Sequence, residues 1–346
     1  MAQKFANRWE IIEPLGEGGQ GQAFVVRDTQ ISTNNPPRFV LKRLKNPKRL
    51  DRFRREVEAT IKLNHPNILK IIDHDLKCKK PYLISEYCTG GTLREFFSKA
   101  TPSLMEIFRL FLLIADGLRY AHENDVIHRD IKPDNIFLRL PLLDPVIGDF
   151  GLCYLEDSVE RITMTQEAVG PRIFMAPEME DGRIDRVTPS ADIYSLGKLF
   201  YWMLSGGRIF SREKMREPQW DLKKIVPHPY EIGDNNAMEH ITRLLRWMIT
   251  PLPADRRPLK DIISAARRIQ CLIHRGVNPI SESIPQTCTY CGWGHYDAIV
   301  DGGSVHNFGF VYVGDPKWKI LACTECGHIQ LFRLDHARRD NLWKEQ

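Results

Sequence analysis

At 346 residues the chain is long enough for two domains, or for one large domain with an appendage, and its 42% hydrophobic and 27% charged residues exclude wholesale disorder. The net charge of +5 is spread along the sequence, so charge alone does not imply nucleic acid, and clusters such as Lys42 to Arg55 and Arg333 to Arg339 read as solvated helix faces. No apolar run approaches the roughly 18 residues of a membrane span, and Met1 to Asn7 lacks the apolar core of a signal peptide, so the expectation is a cytoplasmic protein without a membrane.

Residues 1–8 read as an extension. From Trp9 a strand-like segment runs into Gly16-Glu17-Gly18-Gly19-Gln20-Gly21 and on into Ala23-Phe24-Val25-Val26. Alone, this glycine spacing is weak evidence, because dinucleotide folds share it. There the glycines open a helix, whereas here a β-branched and aromatic run follows, so they cap a hairpin. Such a hairpin can lie over phosphates, since glycine lets backbone N–H groups approach closely.

After a turn at Ile31 to Arg38, Phe39-Val40-Leu41-Lys42 reads as a third strand ending in a lysine. A lone strand lysine is usually a solvent-facing charge. Pro47 to Leu63, however, has helical periodicity through Leu50, Phe53, Val57 and Ile61, with Glu56 on a face that could reach Lys42. A buried lysine requires an anionic partner to stay charged. His65-Pro66-Asn67 breaks the helix; Ile68 to Asp73 and Tyr82 to Ser85 read as two more strands, giving five strands and one helix before the connector Glu86 to Gly91. Beyond it the chain turns helical, at Thr92 to Ser98, Ser103 to Glu123, Pro189 to Leu204, Asp234 to Ile249 and Pro258 to His274.

Between those helices lies the densest polar stretch, His128-Arg129-Asp130-Ile131-Lys132-Pro133-Asp134-Asn135, followed by Asp149-Phe150-Gly151. Ile136-Phe137 and Val146-Ile147-Gly148 between them read as a short hairpin, so the polar groups sit at strand ends facing one cleft. Acid and amide oxygens with a lysine at this density suit metal, phosphate and a nucleophile.

Taken together and in order, these motifs resemble the eukaryotic-type protein kinase family over roughly Trp9 to His274. The resemblance implies an α+β bilobal fold, with a β-rich small lobe (9–86) and an α-rich large lobe (92–274). It also implies ATP- and Mg²⁺- (or Mn²⁺-) dependent transfer of a γ-phosphoryl group to a protein substrate. By the same resemblance Asp130 is the catalytic base, Lys132 the neighbouring phosphate contact, Lys42 and Glu56 the strand–helix pair, and Asn135 and Asp149 the magnesium ligands. Nucleotide contacts are implied at Gly16, Gly18, Gly21, Ala23, Val40, Glu86, Cys88 and Phe137. Ala176-Pro177-Glu178 ends the activation segment, Asp192 is a structural polar anchor, and Arg257 is the expected partner of Glu178.

Several positions depart from the family pattern. Ala23 stands where valine is usual and Val40 where alanine is, exchanges that could compensate in volume. Thr60 takes an apolar spine position, and Ser85 is a small gatekeeper implying a roomy back pocket. Pro171 follows the tyrosine-kinase pattern, but Lys132, in the catalytic loop itself, is the serine/threonine signature and carries the reading. Arg129 is implied to pair with a phosphate on Thr163 or Thr165.

After a linker (275–287), Cys288-Thr-Tyr-Cys291-Gly292 and Cys323-Thr-Glu-Cys326-Gly327 form two matched CxxC knuckles. Four thiolates with permissive glycines suit a structural tetrahedral Zn²⁺, a zinc ribbon over 288–334 followed by a basic tail (335–346). Redox or disulfide pairs are the alternatives. A ribbon could hold a protein or nucleic-acid partner, and a kinase-shaped scaffold without catalysis is the competing reading of the whole.

Overall fold

The structure, a computed structural model, describes residues 4–18, 21–47, 50–150, 173–179, 187–210, 214, 217, 219, 221–222, 235–275, 296–301, 318–323 and 329–333. The small lobe is a six-stranded antiparallel sheet in the order β1-β2-β3-β4-β6-β5. Its strands are β1 (Lys4–Phe5), β2 (Trp9–Gly18), β3 (Gly21–Asp28), β4 (Arg38–Leu44), β5 (Ile71–Asp75) and β6 (Tyr82–Glu86). The first of these is an addition to the five expected. Ala6 and Asn7, with φ of 50° and 55°, lie in the three-residue connection 6–8 that pairs Lys4 with Glu10 and Phe5 with Trp9, where the Arg8 N–H donates to the Phe5 carbonyl at 3.2 Å. That turn lacks the glycine that normally signals it. The strand expected from Ile68 begins at Ile71; Ile68 instead bridges Ile147 in parallel.

Period-two alternation divides the sheet into two faces. Trp9, Val26, Leu41, Tyr82 and Ile84 form one buried cluster, while Leu44 and Leu83 pack with Phe53 and Val57 of helix α1 (Leu50–Ile61) on the other. Positions 53, 56, 57 and 60 share one face of α1, so the apolar pair that docks the helix also carries Glu56 and Thr60 inward, where both are buried.

The large lobe is helical. Helix α2 (Leu93–Lys99) and helix α3 (Leu104–Glu123) each start with a full capping box, from Thr92 with Glu95 and from Ser103 with Glu106. Helix α4 (Ser190–Leu204) is buried from Ala191 to Leu204, the pattern of a helix surrounded by protein, and its Phe200 packs between Phe108 and Phe111 of α3. A two-stranded hairpin, β7 (Ile136–Arg139) with β8 (Asp144–Ile147), lies against α3. Helices α5 (Asn235–Met248) and α6 (Leu259–Arg275) follow. The expected β-rich small lobe and α-rich large lobe are thus both present.

A second compact unit contains a three-stranded antiparallel sheet, β11-β10-β9, of β9 (Tyr296–Asp301), β10 (Trp318–Cys323) and β11 (Ile329–Arg333). The two later strands match the sequence reading. Strand β9 was not foreseen, because aspartates punctuate its short apolar run and only pairing with β10 makes it a strand. The strand expected at Phe308 to Val313 lies outside the described residues. Among those described, no helix is long and apolar enough to cross a membrane.

Candidate active site

Alternation along β4 puts Leu41 in the outer cluster and turns Val40 and Lys42 to the opposite face, beneath α1. The Lys42 Nζ donates to Glu56 Oε1 at 2.6 Å and to Asp149 Oδ1 at 3.1 Å. Burial alone would push the lysine's pKa down, but the two carboxylates outweigh it and hold it above its ordinary value. Asp149 is the reciprocal case: burial pushes its carboxyl up, Lys42 pulls it down, and the net shift is downward. The result is a charged triad spanning strand, helix and hairpin.

The stretch from His128 to Asn135 is held from beneath by Asp192, at the start of α4. This fully buried carboxylate accepts the backbone N–H of His128 and of Arg129, both at 2.7 Å, and lies 2.9 Å from the His122 ring. Burial raises its pKa, and these partners more than reverse the shift. Anchored so, Arg129 sits at a φ of 66° and the loop turns Asp130 into the cleft. Lys132 Nζ reaches Asp130 Oδ2 at 2.6 Å, and Asn135 Nδ2 donates to the same oxygen at 2.9 Å.

The hairpin then supplies the second acid. Register pairs Ile136 with Ile147, so Asn135 immediately before β7 and Gly148 immediately after β8 are neighbours, with Gly148 N–H donating to the Asn135 carbonyl at 2.9 Å. Asp149 follows at a φ of 61°. Position 148 admits no side chain, since a Cβ there would lie 2.7 Å from Phe137 Cε2. Asn135 spends its amide nitrogen on Asp130, which leaves its side-chain oxygen to ligate a cation together with Asp149. Two hard oxygens of this kind fit Mg²⁺, which binds through few protein groups and its substrate's phosphates.

Lys42, Glu56 and Asp149 form the polar end of a cavity of about 500 Å³, within the range of small-molecule sites. Ala23 and Val40 line it from the sheet, Phe137 from the large lobe, and Glu86 and Cys88 along the connector. Burial, reinforced by Glu86, pushes the Cys88 thiol up to about 12. Ser85 and Thr60 line the same cavity, and Thr60 satisfies its hydroxyl on the Glu56 carbonyl at 2.7 Å. Leu15, Tyr87 and Thr92 also line it, and the sequence had not singled them out.

In the glycine-rich hairpin Gly18 pairs with Gly21, and a Cβ on Gly21 would lie 2.1 Å from the Arg43 carbonyl, so neighbouring β4 requires glycine there. Gly16 has a φ of 154°. Pro171, Thr163 and Thr165 lie outside the described residues, as do Cys288, Cys291 and Cys326; Cys323 is described only as the last residue of β10.

One expectation is overturned. The partner of Glu178 is Arg256, not Arg257. Arg256 grips both Glu178 oxygens at 2.5 and 2.8 Å, with its side chain fully buried. The turn Pro253–Asp255 delivers Arg256 inward, and the next residue faces away, with the Arg257 guanidinium 5.2 Å from the centre of the Trp247 ring.

A family model of the protein kinase domain matches residues 9–266. Among curated relatives, the chain is 33% identical over 210 residues to the serine/threonine-protein kinase PknB of Mycobacterium tuberculosis, covering 58% of this chain and 33% of that protein. It is 32% identical over 211 residues to a probable serine/threonine-protein kinase PknB of Bifidobacterium longum, covering 58% and 30%. With the serine/threonine-protein kinase PrkC of Bacillus subtilis the identity is 29% over 219 residues, covering 62% and 33%. The matched region is therefore only about a third of each relative.

Proposed function

Because this chain belongs to the protein kinase family, we propose that it is a serine/threonine protein kinase, transferring the γ-phosphoryl group of ATP to hydroxyls of a protein substrate. The observation that carries the reading is Lys42 bonded at once to Glu56 and Asp149 at the polar end of the cavity. Phosphoryl transfer requires positioning and charge neutralisation more than covalent participation. Asp130 receives the proton of the attacking substrate hydroxyl, and that hydroxyl's oxygen bonds to the γ-phosphorus as the bond to the bridging oxygen breaks and ADP leaves. Lys132 offsets charge on the moving phosphoryl group beside Asp130, and Lys42 holds the nucleotide's phosphates. Gly16, Gly18 and Gly21 form the covering hairpin, and Ala23, Val40, Glu86, Cys88 and Phe137 enclose the base. Mg²⁺, held by Asn135 and Asp149, neutralises phosphate charge when bound.

The named activity of PknB and PrkC supports serine or threonine as acceptor, and Lys132 agrees. Transfer of labelled γ-phosphate by wild type and Asp130→Asn, followed by phosphoamino-acid analysis, tests this. The variant should lose about 10²- to 10⁴-fold in rate, with label on serine or threonine. Phosphotyrosine would overturn the acceptor, and no label from wild type would favour the scaffold reading.

Two finer readings accompany it. Autophosphorylation at Thr163 or Thr165 engages Arg129 and orders the activation segment; active protein with neither threonine modified by mass spectrometry refutes this. Cys288, Cys291, Cys323 and Cys326 bind one structural Zn²⁺ and support a ribbon that holds a protein or nucleic-acid partner. The ending of β10 at Cys323 supports the placement of one knuckle at a strand end. Less than one zinc per chain by elemental analysis refutes it.

A further inference from the structure

Arg139, the last residue of β7, belongs to no motif, yet it joins three segments of chain. Its Nε and Nη2 fork onto Glu86 Oε2 and Oε1 at 2.7 and 2.8 Å, and its Nη1 donates to the Pro66 carbonyl at 2.5 Å. Glu86 Oε1 also accepts the Lys70 N–H at 2.8 Å, while the Glu86 N–H donates to the Lys70 carbonyl at 3.1 Å. Pro66 lies in a turn fixed to the large lobe, where Asn67 bonds the Pro145 carbonyl and accepts the Ile147 N–H. Glu86, by contrast, ends β6 of the small lobe and starts the connector. The guanidinium therefore ties the last strand of one lobe to two fixed points of the other.

The position of this tie matters because of strand periodicity. Phe137 and Arg139 are two residues apart on β7 and share one face of it. Phe137 lines the nucleotide cavity from the large lobe and Glu86 lines it along the connector. A bond from Arg139 to Glu86 thus fixes the spacing between two walls of the slot that receives a flat base. Connector bonds from Gly90 N–H to the Leu138 carbonyl, and from Leu138 N–H to the Gly91 carbonyl, hold the adjoining stretch in the same register.

Resting on the kinase reading above, we infer that Arg139 is a positioning residue for nucleotide binding: acting through Glu86, it holds the connector against β7 and presets the width of the base slot. Preorganisation of this kind is felt in affinity, because a loosened slot must be ordered again each time the base enters. A lysine keeps the charge but not the planar fork, so it does not replace the arginine.

The test is the dissociation constant of a fluorescent ATP analogue in Mg²⁺, measured on the full chain for wild type, Arg139→Ala, Arg139→Lys, Glu86→Ala and the Arg139→Ala/Glu86→Ala double variant, alongside kcat at saturating ATP. Arg139→Ala and Arg139→Lys should each weaken binding about five- to tenfold, the upper figure corresponding to about 1.4 kcal/mol, with kcat within about twofold of wild type. The double variant should bind no more weakly than the worse single one, because both act through one bond. Unchanged affinity in folded Arg139→Ala, wild-type behaviour of Arg139→Lys, or additive losses in the double variant would each overturn the inference. Wild-type protein that binds no nucleotide would instead remove the kinase reading on which it rests.

Discussion

Arg256 offers the sharpest test of the fold, because the sequence places two arginines side by side and the structure gives them opposite roles. Its fork to Glu178 is bidentate, and its remaining donors reach the Thr250 and Ser190 carbonyls at 3.0 Å and the Pro251 carbonyl at 3.1 Å, with the Tyr194 ring 5.0 Å away. Arg256→Ala leaves the Glu178 carboxylate, only 17% exposed, without this counter-charge. Removing one partner of a buried pair costs about 3–5 kcal/mol. For a lobe of this size that lowers the melting temperature by roughly 6–20 °C. Arg257→Ala loses only an outward contact with Trp247, worth about 0.5–1 kcal/mol. Differential scanning calorimetry of both variants decides the matter. Equal losses, or a larger loss for Arg257→Ala, would refute the assignment and with it the register of the chain between α5 and α6.

Gly148→Ala should weaken nucleotide binding several-fold, read by the same fluorescent titration, because its Cβ would meet the Phe137 ring at 2.7 Å and drive that wall into the cavity. Gly197→Ala should destabilise the large lobe by about 1–3 kcal/mol in urea unfolding: the added Cβ would lie 2.7 Å from Met248 Cβ and 2.8 Å from Ile249 Cγ1, atoms close to the backbone that cannot swing aside. Asp192→Asn should cost on the order of 3 kcal/mol at pH 7. Its folded pKa is depressed, so the stability it contributes is present above the unfolded value of about 3.9 and is lost as pH falls below that. The gap between wild type and variant should therefore narrow from pH 7 to pH 3; a constant gap would contradict the charged role.

Much of the site was legible in the chain because its chemistry is carried by local motifs. Residues 128–135 and Asp149 sit at the ends of one short hairpin, so their neighbourhood follows from strand pairing over a dozen residues. Helix limits were also readable: Thr92 with Glu95 and Ser103 with Glu106 are capping boxes written in the sequence, and α2 and α3 start directly after them. What escaped was set by long-range packing or by turns without a signature. The edge strand β1 turns on Ala6-Asn7, and β9 exists only through its pairing with β10.

The sequence by itself determined which motifs are present and the order in which they come, and the resemblance they carry to the protein kinase family is what singles out Lys42, Glu56, Asp130, Asn135 and Asp149. Only the tertiary structure decided which of two adjacent arginines meets Glu178, and that Arg139 meets Glu86. Neighbouring positions differ in sequence by one residue but in space by the direction of a side chain. That direction is fixed by the turn at 253–255 and the pleat of β7, through contacts with partners 78 and 53 residues away along the chain.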